Sequence, residues 1–76
     1  MKEAKDMSKI YVVRELVAYG NTEYFHGAFT SREKAEKFIS AKFPELVYDK
    51  DRDEWWMPLE NIQYLCVYIL EMEVVE

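Results

Sequence analysis

The alternation of hydrophobic and polar residues in the first third of the chain is typical of a β-hairpin. The runs "IYVVRELVAY" (residues 10–19) and "TEYFHGAF" (residues 22–29) are rich in β-branched and aromatic residues, and Gly20 and Asn21 stand between them. This arrangement predicts two antiparallel strands joined by a two-residue turn. Such a turn places four pairs opposite each other: Val17 and Tyr24, Leu16 and Phe25, Val13 and Ala28, and Glu15 and His26.

The next stretch, "TSREKAEKFISAKF" (residues 30–43), predicts one amphipathic helix over residues 31–43. Thr30 and Glu33 match the S/T-x-x-E capping box, in which a hydroxyl and a carboxylate satisfy backbone N–H groups at the helix start. Pro44 ends the pattern because proline cannot continue a helix. The apolar positions form one stripe that we expect to pack on the sheet: Ala35, Phe38, Ile39 and Phe43.

After Pro44 the pattern returns to strands. "ELVY" and "EWWM" flank the charged stretch "DKDRD", which predicts two short strands joined by an acidic loop, and "PLEN" predicts a turn before the last element. In that element, "IQYLCVYILEMEVV", a two-residue period and the β-branched and aromatic content favour a strand over a helix. One face turns acidic toward its C-terminal end, whereas the other is apolar throughout: Tyr64, Cys66, Tyr68, Leu70, Met72 and Val74.

Together these elements predict an α+β fold, in the order β-β-α-β-β, with the helix packed on one face of an antiparallel sheet. We expect residues 1–8 to form a flexible leader and residues 9–76 a single domain. Half of the residues are hydrophobic, and 6 Tyr, 4 Phe and 2 Trp are present, which excludes a disordered chain. Apolar residues on both sides of short strands also predict that a sheet face or edge is covered by a second copy, as in a homodimer.

Charge is distributed unevenly along the chain. Residues 1–44 carry eight Lys/Arg and six Asp/Glu, a net charge of +2, whereas residues 45–76 carry two Lys/Arg and nine Asp/Glu, a net charge of −7, which together give −5. An acidic field repels the phosphates of nucleic acids and membranes. We therefore expect no direct binding to either, and a basic protein as any charge-steered partner.

The residue types that most enzymes need are scarce. His26 is the only histidine, Cys66 is the only cysteine, and there are two glycines, so the sequence offers neither a nucleophile–base pair nor a phosphate-binding loop. We expect no enzymatic activity, no cofactor and no metal.

A lone cysteine in the apolar run "YLCVYIL" predicts a buried thiol in a reducing compartment, and "MKEAKDMSK" lacks the apolar segment of a signal peptide. The expected location is the cytoplasm.

The stretch "DKDRDEWWMPLE" (residues 49–60) allows three interpretations. Its acids fit part of a calcium-binding loop, but Glu54 replaces the glycine of the sharp bend, and strands flank it where helices are required. A solvated hairpin turn is the second interpretation. The third is a binding surface in which carboxylates imitate DNA phosphates and one of the two tryptophans anchors a partner. Its candidate partner-binding residues are Asp49, Asp51, Asp53, Glu54, Trp55, Trp56, Glu60, Glu71 and Glu73.

The segment "GAFTSREKAEKFI" (residues 27–39) resembles a group of small uncharacterised phage and bacterial proteins in which a β-hairpin leads through F-x-S-x-E-K-A-E into a helix. In size, acidity and lack of catalytic residues the chain is also similar to small acidic host-takeover proteins of lytic phages, including DNA mimics that inhibit the histone-like nucleoid protein HU. Its basic first half departs from a uniformly acidic mimic.

The second resemblance implies a non-enzymatic phage-type inhibitor in the host cytoplasm. Such an inhibitor binds a basic host nucleic-acid-binding protein, such as a nucleoid protein, through an acidic, DNA-mimicking surface and blocks nucleic-acid binding. The alternative is a small self-associating structural or regulatory interaction module with no inhibitory role.

Overall fold

The computed structural model of the protein describes residues 7–18, 22–60 and 62–75. These residues form an antiparallel sheet of strand order β2-β1-β5-β4-β3 with one helix packed on it. The predicted α+β fold is confirmed. Both short strands and the long strand after the helix are formed, so the complete order along the chain is β-β-α-β-β-β. The elements are β1 (Met7–Ala18), β2 (Thr22–Phe29), α1 (Arg32–Lys42), β3 (Val47–Asp49), β4 (Glu54–Pro58) and β5 (Tyr64–Val75).

The hydrophobic core lies between α1 and the sheet. Ala35 and Ile39 of α1, Val13 of β1 and Val67 of β5 are fully buried. The predicted apolar stripe of the helix is therefore the face that packs, because Phe38 and the C-cap residue Phe43 also border this cluster. The remaining apolar residues packed around it are Tyr11, Phe29, Leu46, Trp55 and Ile69.

The helix begins one residue later than the predicted capping box requires. Ser31 has an extended backbone and is the N-cap, and its Oγ accepts a hydrogen bond from the backbone N–H of Lys34 at 3.1 Å. The predicted pairing of Thr30 with Glu33 is wrong, and Thr30 Oγ1 instead accepts a bond from Lys34 Nζ at 3.4 Å. The third residue after the true N-cap is a lysine, which has no carboxylate to complete the box. The helix then ends at Lys42, before Pro44.

The hairpin of β1 and β2 forms with a different register from the predicted one. Val17 pairs with Thr22, and three residues, 19–21, separate the two strands, whereas the prediction left two. The predicted turn at Gly20 and Asn21 lies outside the described residues. All four predicted pairs are wrong, because Val17 faces Thr22, Leu16 faces Glu23, Glu15 faces Tyr24 and Val13 faces Gly27.

A β-bulge interrupts this ladder at His26. Gly27 faces Val13 and Phe25 faces Arg14, which leaves His26 as an extra residue on β2. One additional residue reverses the alternation of side chains along a strand. Phe25 and Phe29 therefore point to opposite faces of the sheet, although both positions are odd-numbered.

β1 and β5 are the longest strands, and they pair along their whole length from Met7 with Val75 to Ala18 with Tyr64. β1 includes Met7 and Ser8, which were predicted as part of the leader. The rest of that prediction, for residues 1–6, lies outside the described residues.

The two faces of the sheet differ in what covers them. Residues opposite each other in an antiparallel pair share a face, and neighbours along a strand alternate. α1 covers the face of Val13, Val67 and Trp55, which is the face of β5 that turns acidic. No element of the described residues covers the other side, here called the open face. It is formed by Ser8, Ile10, Val12, Arg14, Leu16, Glu23, Phe25, Ala28, Val47, Asp49, Glu54, Trp56, Pro58, Tyr64, Cys66, Tyr68, Leu70, Met72 and Val74.

Candidate functional site

The acidic loop joins β3 to β4, as predicted, and part of its acidity holds the loop together. Asp49 Oδ1 accepts hydrogen bonds from the backbone N–H groups of Asp51 at 3.0 Å and Arg52 at 3.4 Å. The N–H of Asp53 donates to the carbonyl of Asp49 at 2.7 Å. Asp53 has φ 57°, in the left-handed region, which Asp occupies more readily than most residues. Asp49 and Asp53 therefore determine the shape of this turn.

Asp53 also connects the loop to the start of α1. Its Oδ1 accepts hydrogen bonds from the hydroxyl of Tyr48 at 2.7 Å and from Arg32 Nη2. Arg32 Nε donates in addition to Glu36 Oε2 at 2.8 Å. The bond from Tyr48, helped by Arg32, lowers the pKa of Asp53, and the same bond raises the pKa of Tyr48. The charge of Asp53 is thus already paired within the chain.

The other candidate acids lie on different parts of the surface. Glu54 is on the open face, with Oε2 3.8 Å from Arg52 Nη1. Glu71 points to the opposite face and lies 3.0 Å from Lys9 Nζ. The structure therefore does not bring the candidate acids Glu54 and Glu71 onto one face. The three remaining candidates are exposed: Asp51, Glu60 and Glu73.

The two adjacent tryptophans point to opposite faces, as the strand alternation predicts. Trp55 packs beside the core, with its ring centroid 4.7 Å from that of Tyr48. Trp56 lies on the open face, 37% exposed, and its ring meets Tyr64 edge-on at 6.2 Å. Of the two, Trp56 is the exposed candidate anchor.

Neither calcium nor another metal has a preformed site in the part of the chain that the structure describes. No group of three or more His, Cys, Asp or Glu side chains there is placed to hold a metal ion. Two acids of the calcium template, Asp49 and Asp53, use carboxylate oxygens for bonds within the loop and to Arg32. The one helix of the described residues, α1, is too short and too polar to cross a membrane.

Cys66 and His26 are both enclosed by other side chains. Cys66 is a free thiol, 3% exposed, and burial, together with the nearby Glu54, raises its pKa to about 11. Such a thiol is neutral at physiological pH and a poor nucleophile. His26 Nε2 lies 2.6 Å from Glu15 Oε1, and its ring packs against Phe43 at 5.3 Å between centroids. Glu15 and His26 are therefore in contact, although they are not opposite each other in the ladder.

A row of exposed apolar side chains runs along the open face. Leu70, Met72 and Val74 follow one another on β5, and each is between 39% and 46% exposed. Across the ladder, Leu70 pairs with Val12 and Met72 pairs with Ile10. The patch is extended by Phe25 and Ala28 of β2, of which Phe25 is 66% exposed.

A polar band crosses the middle of the open face, and its charges are paired. Arg14 Nη2 lies 3.1 Å from Glu23 Oε1, and the hydroxyl of Tyr68 donates to Glu23 Oε2 at 2.6 Å. That bond raises the pKa of Tyr68 and so keeps the hydroxyl protonated. Arg52 lies beside Glu54 in the same band. Asp49 is a third acid on this face and accepts backbone N–H bonds instead. Two cations against three acids leave the open face with a net charge of −1, whereas the whole chain carries −5.

Sequence reasoning assigned the candidate site to the acids and did not identify the open face as a site. The signal was present in the alternation of β5, which is apolar at every even position from Tyr64 to Val74. In β1, the residues opposite this row, Ile10 and Val12, are apolar as well. One amphipathic helix covers only one face of a sheet, so the prediction that a second copy covers a sheet face or edge concerns this second apolar face.

The chain belongs to the family described as a domain of unknown function (DUF7336), whose match spans residues 8–76. The matched span contains every strand and the helix, except for the first residue of β1. No curated protein and no solved structure matches this chain. The family description names no activity and no phage protein, so the resemblance to phage host-takeover proteins stays a prediction.

Proposed function

We propose that this domain is a non-enzymatic protein-interaction module that binds another protein chain through its open face. The observation that carries the proposal is the row of Leu70, Met72 and Val74, which is in register with Ile10 and Val12 on a face that no described element covers. Contiguous exposed apolar surface of more than a few hundred Å² is uncommon on monomeric proteins and marks interaction sites.

The distribution of side-chain types across this face is that of a protein interface. The apolar row lies on one side of the polar band and Trp56 on the other, whereas Phe25 lies within the band, directly opposite Arg14. Interfaces combine apolar and aromatic anchors with polar groups whose hydrogen bonds are satisfied. Glu23 accepts from both Arg14 and Tyr68, whereas Arg14 Nε is buried without a hydrogen-bond partner among the described residues.

The two side chains most often used in covalent or acid–base catalysis support binding rather than catalysis. Cys66 is buried with a pKa of about 11, so its nucleophilic thiolate is scarce. His26 is held between Glu15 and the rings of Phe38 and Phe43. Neither group is presented to a substrate.

The acidic half of the chain supports a second proposal. In it, the protein is a phage-type inhibitor that binds a basic nucleic-acid-binding protein, such as a nucleoid protein, through exposed carboxylates and blocks nucleic-acid binding. The net charge of −7 in residues 45–76 favours this proposal. It has less geometric support than the open face because Asp49, Asp53 and Glu71 are engaged in contacts within the chain.

Site-specific photo-cross-linking in the cells that produce the protein tests the open face. A benzophenone side chain is placed at position 70, and the matched control carries it at position 62, because Ile62 is 75% exposed and lies outside the sheet. We expect a discrete cross-linked product from position 70 and none above background from position 62. Equal cross-linking from both positions, or none from position 70, would refute the proposed binding surface.

A further inference from the structure

We infer that the chain covering the open face is a second copy of this protein, so that two open faces pack together around a two-fold axis as a sandwich of two sheets. This inference rests on the proposed function and names the partner of the same surface. Three properties of the described residues support it: the area of the face, its charge, and the charge of the free sheet edge next to it.

The area of the open face matches what a stable dimer requires. The five strands contain 12, 8, 3, 5 and 12 residues. With a rise of about 3.3 Å per residue and a strand spacing of about 4.8 Å, the face has a flat area of roughly 600 Å². A side-chain surface exposes more than its flat projection, and a standard interface buries about 800 Å² from each partner. One whole open face therefore supplies one side of a standard interface.

The charge of the open face allows the open faces of two copies to pack against each other. A chain with a net charge of −5 repels its own copy unless the contact surface carries little net charge. On this face, Arg14 is paired with Glu23 at 3.1 Å, and Arg52 lies 3.8 Å from Glu54. A partner of strongly basic character would gain little here, because Glu23 and Glu54 already have cations beside them and Asp49 accepts backbone N–H groups.

Association through the free edge of β5 is less favourable than association through the face. Among the described residues, β5 pairs with β4 only as far as Tyr68, so residues 69–75 have an unpaired edge. When two such edges pair antiparallel around a two-fold axis, odd-numbered residues lie opposite odd-numbered residues, and even-numbered residues lie opposite even-numbered ones. If the axis passes beside residue 71, 72 or 73, Glu71 or Glu73 lies opposite a glutamate of the other copy. Like charges opposite each other destabilise the pairing of the two strands. The acids therefore disfavour association through this edge.

Sedimentation equilibrium of the purified full chain tests the inference, with Met72→Lys as the interface variant and Ile62→Lys as the matched control. A lysine at position 72 places an unpaired charge in the apolar row, whereas position 62 lies in the turn before β5. We expect the wild type and Ile62→Lys to sediment at twice the 9.2 kDa chain mass at micromolar concentration. Met72→Lys should raise the dissociation constant about tenfold or more. Val74→Lys serves as a second interface variant, and thermal unfolding followed by circular dichroism checks that every variant is folded.

A wild type that sediments at 9.2 kDa at high micromolar concentration would overturn the second-copy inference. A dimer that folded Met72→Lys and Val74→Lys leave unchanged would overturn the open face as its contact. Combination with photo-cross-linking separates the two proposals. A monomer that still forms a product with another protein from position 70 removes the dimer and keeps the interaction module, whereas a monomer with no such product removes both.

Discussion

Glu15 Oε1 and His26 Nε2 lie 2.6 Å apart because a β-bulge, and not direct pairing, brings the imidazole to the carboxylate. An ionised carboxylate only accepts hydrogen bonds, so Nε2 carries the hydrogen. Both side chains are 17% exposed and lie beneath the end of α1, where the ring of His26 meets Phe43. The bond therefore satisfies a polar pair at the margin of the core.

This contact predicts the effect of removing the acceptor. We expect Glu15→Ala to lower the free energy of unfolding by about 1–3 kcal/mol, because His26 Nε2 then loses its partner in a half-buried place. Urea denaturation of the wild type, Glu15→Ala, His26→Ala and the double variant forms a double-mutant cycle. A coupling of about 0.5 kcal/mol or more is expected, and strictly additive effects would show that the bond does not contribute.

The N-cap assignment gives a prediction with a neighbouring control. Ser31→Ala should lower the free energy of unfolding by about 1 kcal/mol, because the N–H of Lys34 loses the Oγ acceptor at the helix start. Thr30→Ala should change it by less than about 0.5 kcal/mol, since the hydroxyl of Thr30 bonds only the flexible Lys34 ammonium. The reverse order of the two effects in thermal or urea unfolding would restore Thr30 as the cap.

The thiol of Cys66 should react slowly in the folded protein. With its pKa at about 11, the thiolate fraction at pH 8 is lower than that of an unfolded cysteine by a factor on the order of 100. Modification by a disulfide reagent at pH 8, with and without denaturant, measures this difference. Comparable rates in the two conditions would mean that the thiol is accessible and that the open face is not packed around it as described.

The lowered pKa of Asp53 predicts an acid-dependent contribution to stability. Because the folded pKa is below the unfolded value, the contribution is present above the unfolded pKa and is lost as pH falls through the folded pKa. The Asp53→Asn variant, which keeps a residue tolerant of positive φ, should be less stable than the wild type at neutral pH, and this gap should narrow in acid. Asp51→Asn is the control and should match the wild type throughout. A gap that does not change between neutral and acid pH would contradict the pairing with Tyr48 and Arg32.

The DNA-mimic hypothesis predicts a loss of binding without a loss of folding when exposed acids become amides. The suitable set is Asp51, Glu60 and Glu73, because Asp49 and Asp53 stabilise the loop itself. If these acids imitate phosphates, the triple amide variant should associate more slowly with a basic nucleic-acid-binding protein and displace less nucleic acid from it. Competition experiments with a purified nucleoid protein measure this displacement. Equal competition by wild type and variant, or none by either, would leave the acids as solvated groups.

The local sequence pattern was sufficient to predict the helix and the strands. It was not sufficient to predict the register between neighbouring strands. The alternation in β5 and the apolar stripe of α1 each depend on neighbouring residues, so the periodicity shows them directly. The bulge at His26 leaves no such signal, yet it sends Phe25 to the open face and Phe29 to the core. The sequence pattern therefore did not predict which side of the sheet α1 covers.

The candidate site shows the same division between local and long-range determinants. The acidity of the loop is visible in the sequence, but the pairing of Asp53 with Arg32 joins residues 21 positions apart. A contact of this kind depends on how α1 is placed against the β3–β4 hairpin. Counting carboxylates therefore overestimated how many are available to a partner.

The central position of β1 in the sheet has a consequence for synthesis on the ribosome. β1 emerges early with β2, but its second neighbour, β5, is the last element of the domain to be translated. Until then, one edge of β1 has no partner strand, and its apolar side chains have no complete sheet to pack in. The β1–β5 ladder can therefore form only after β5 is translated, and its formation joins opposite ends of the domain. We expect refolding on the millisecond-to-second scale typical of long-range strand pairing.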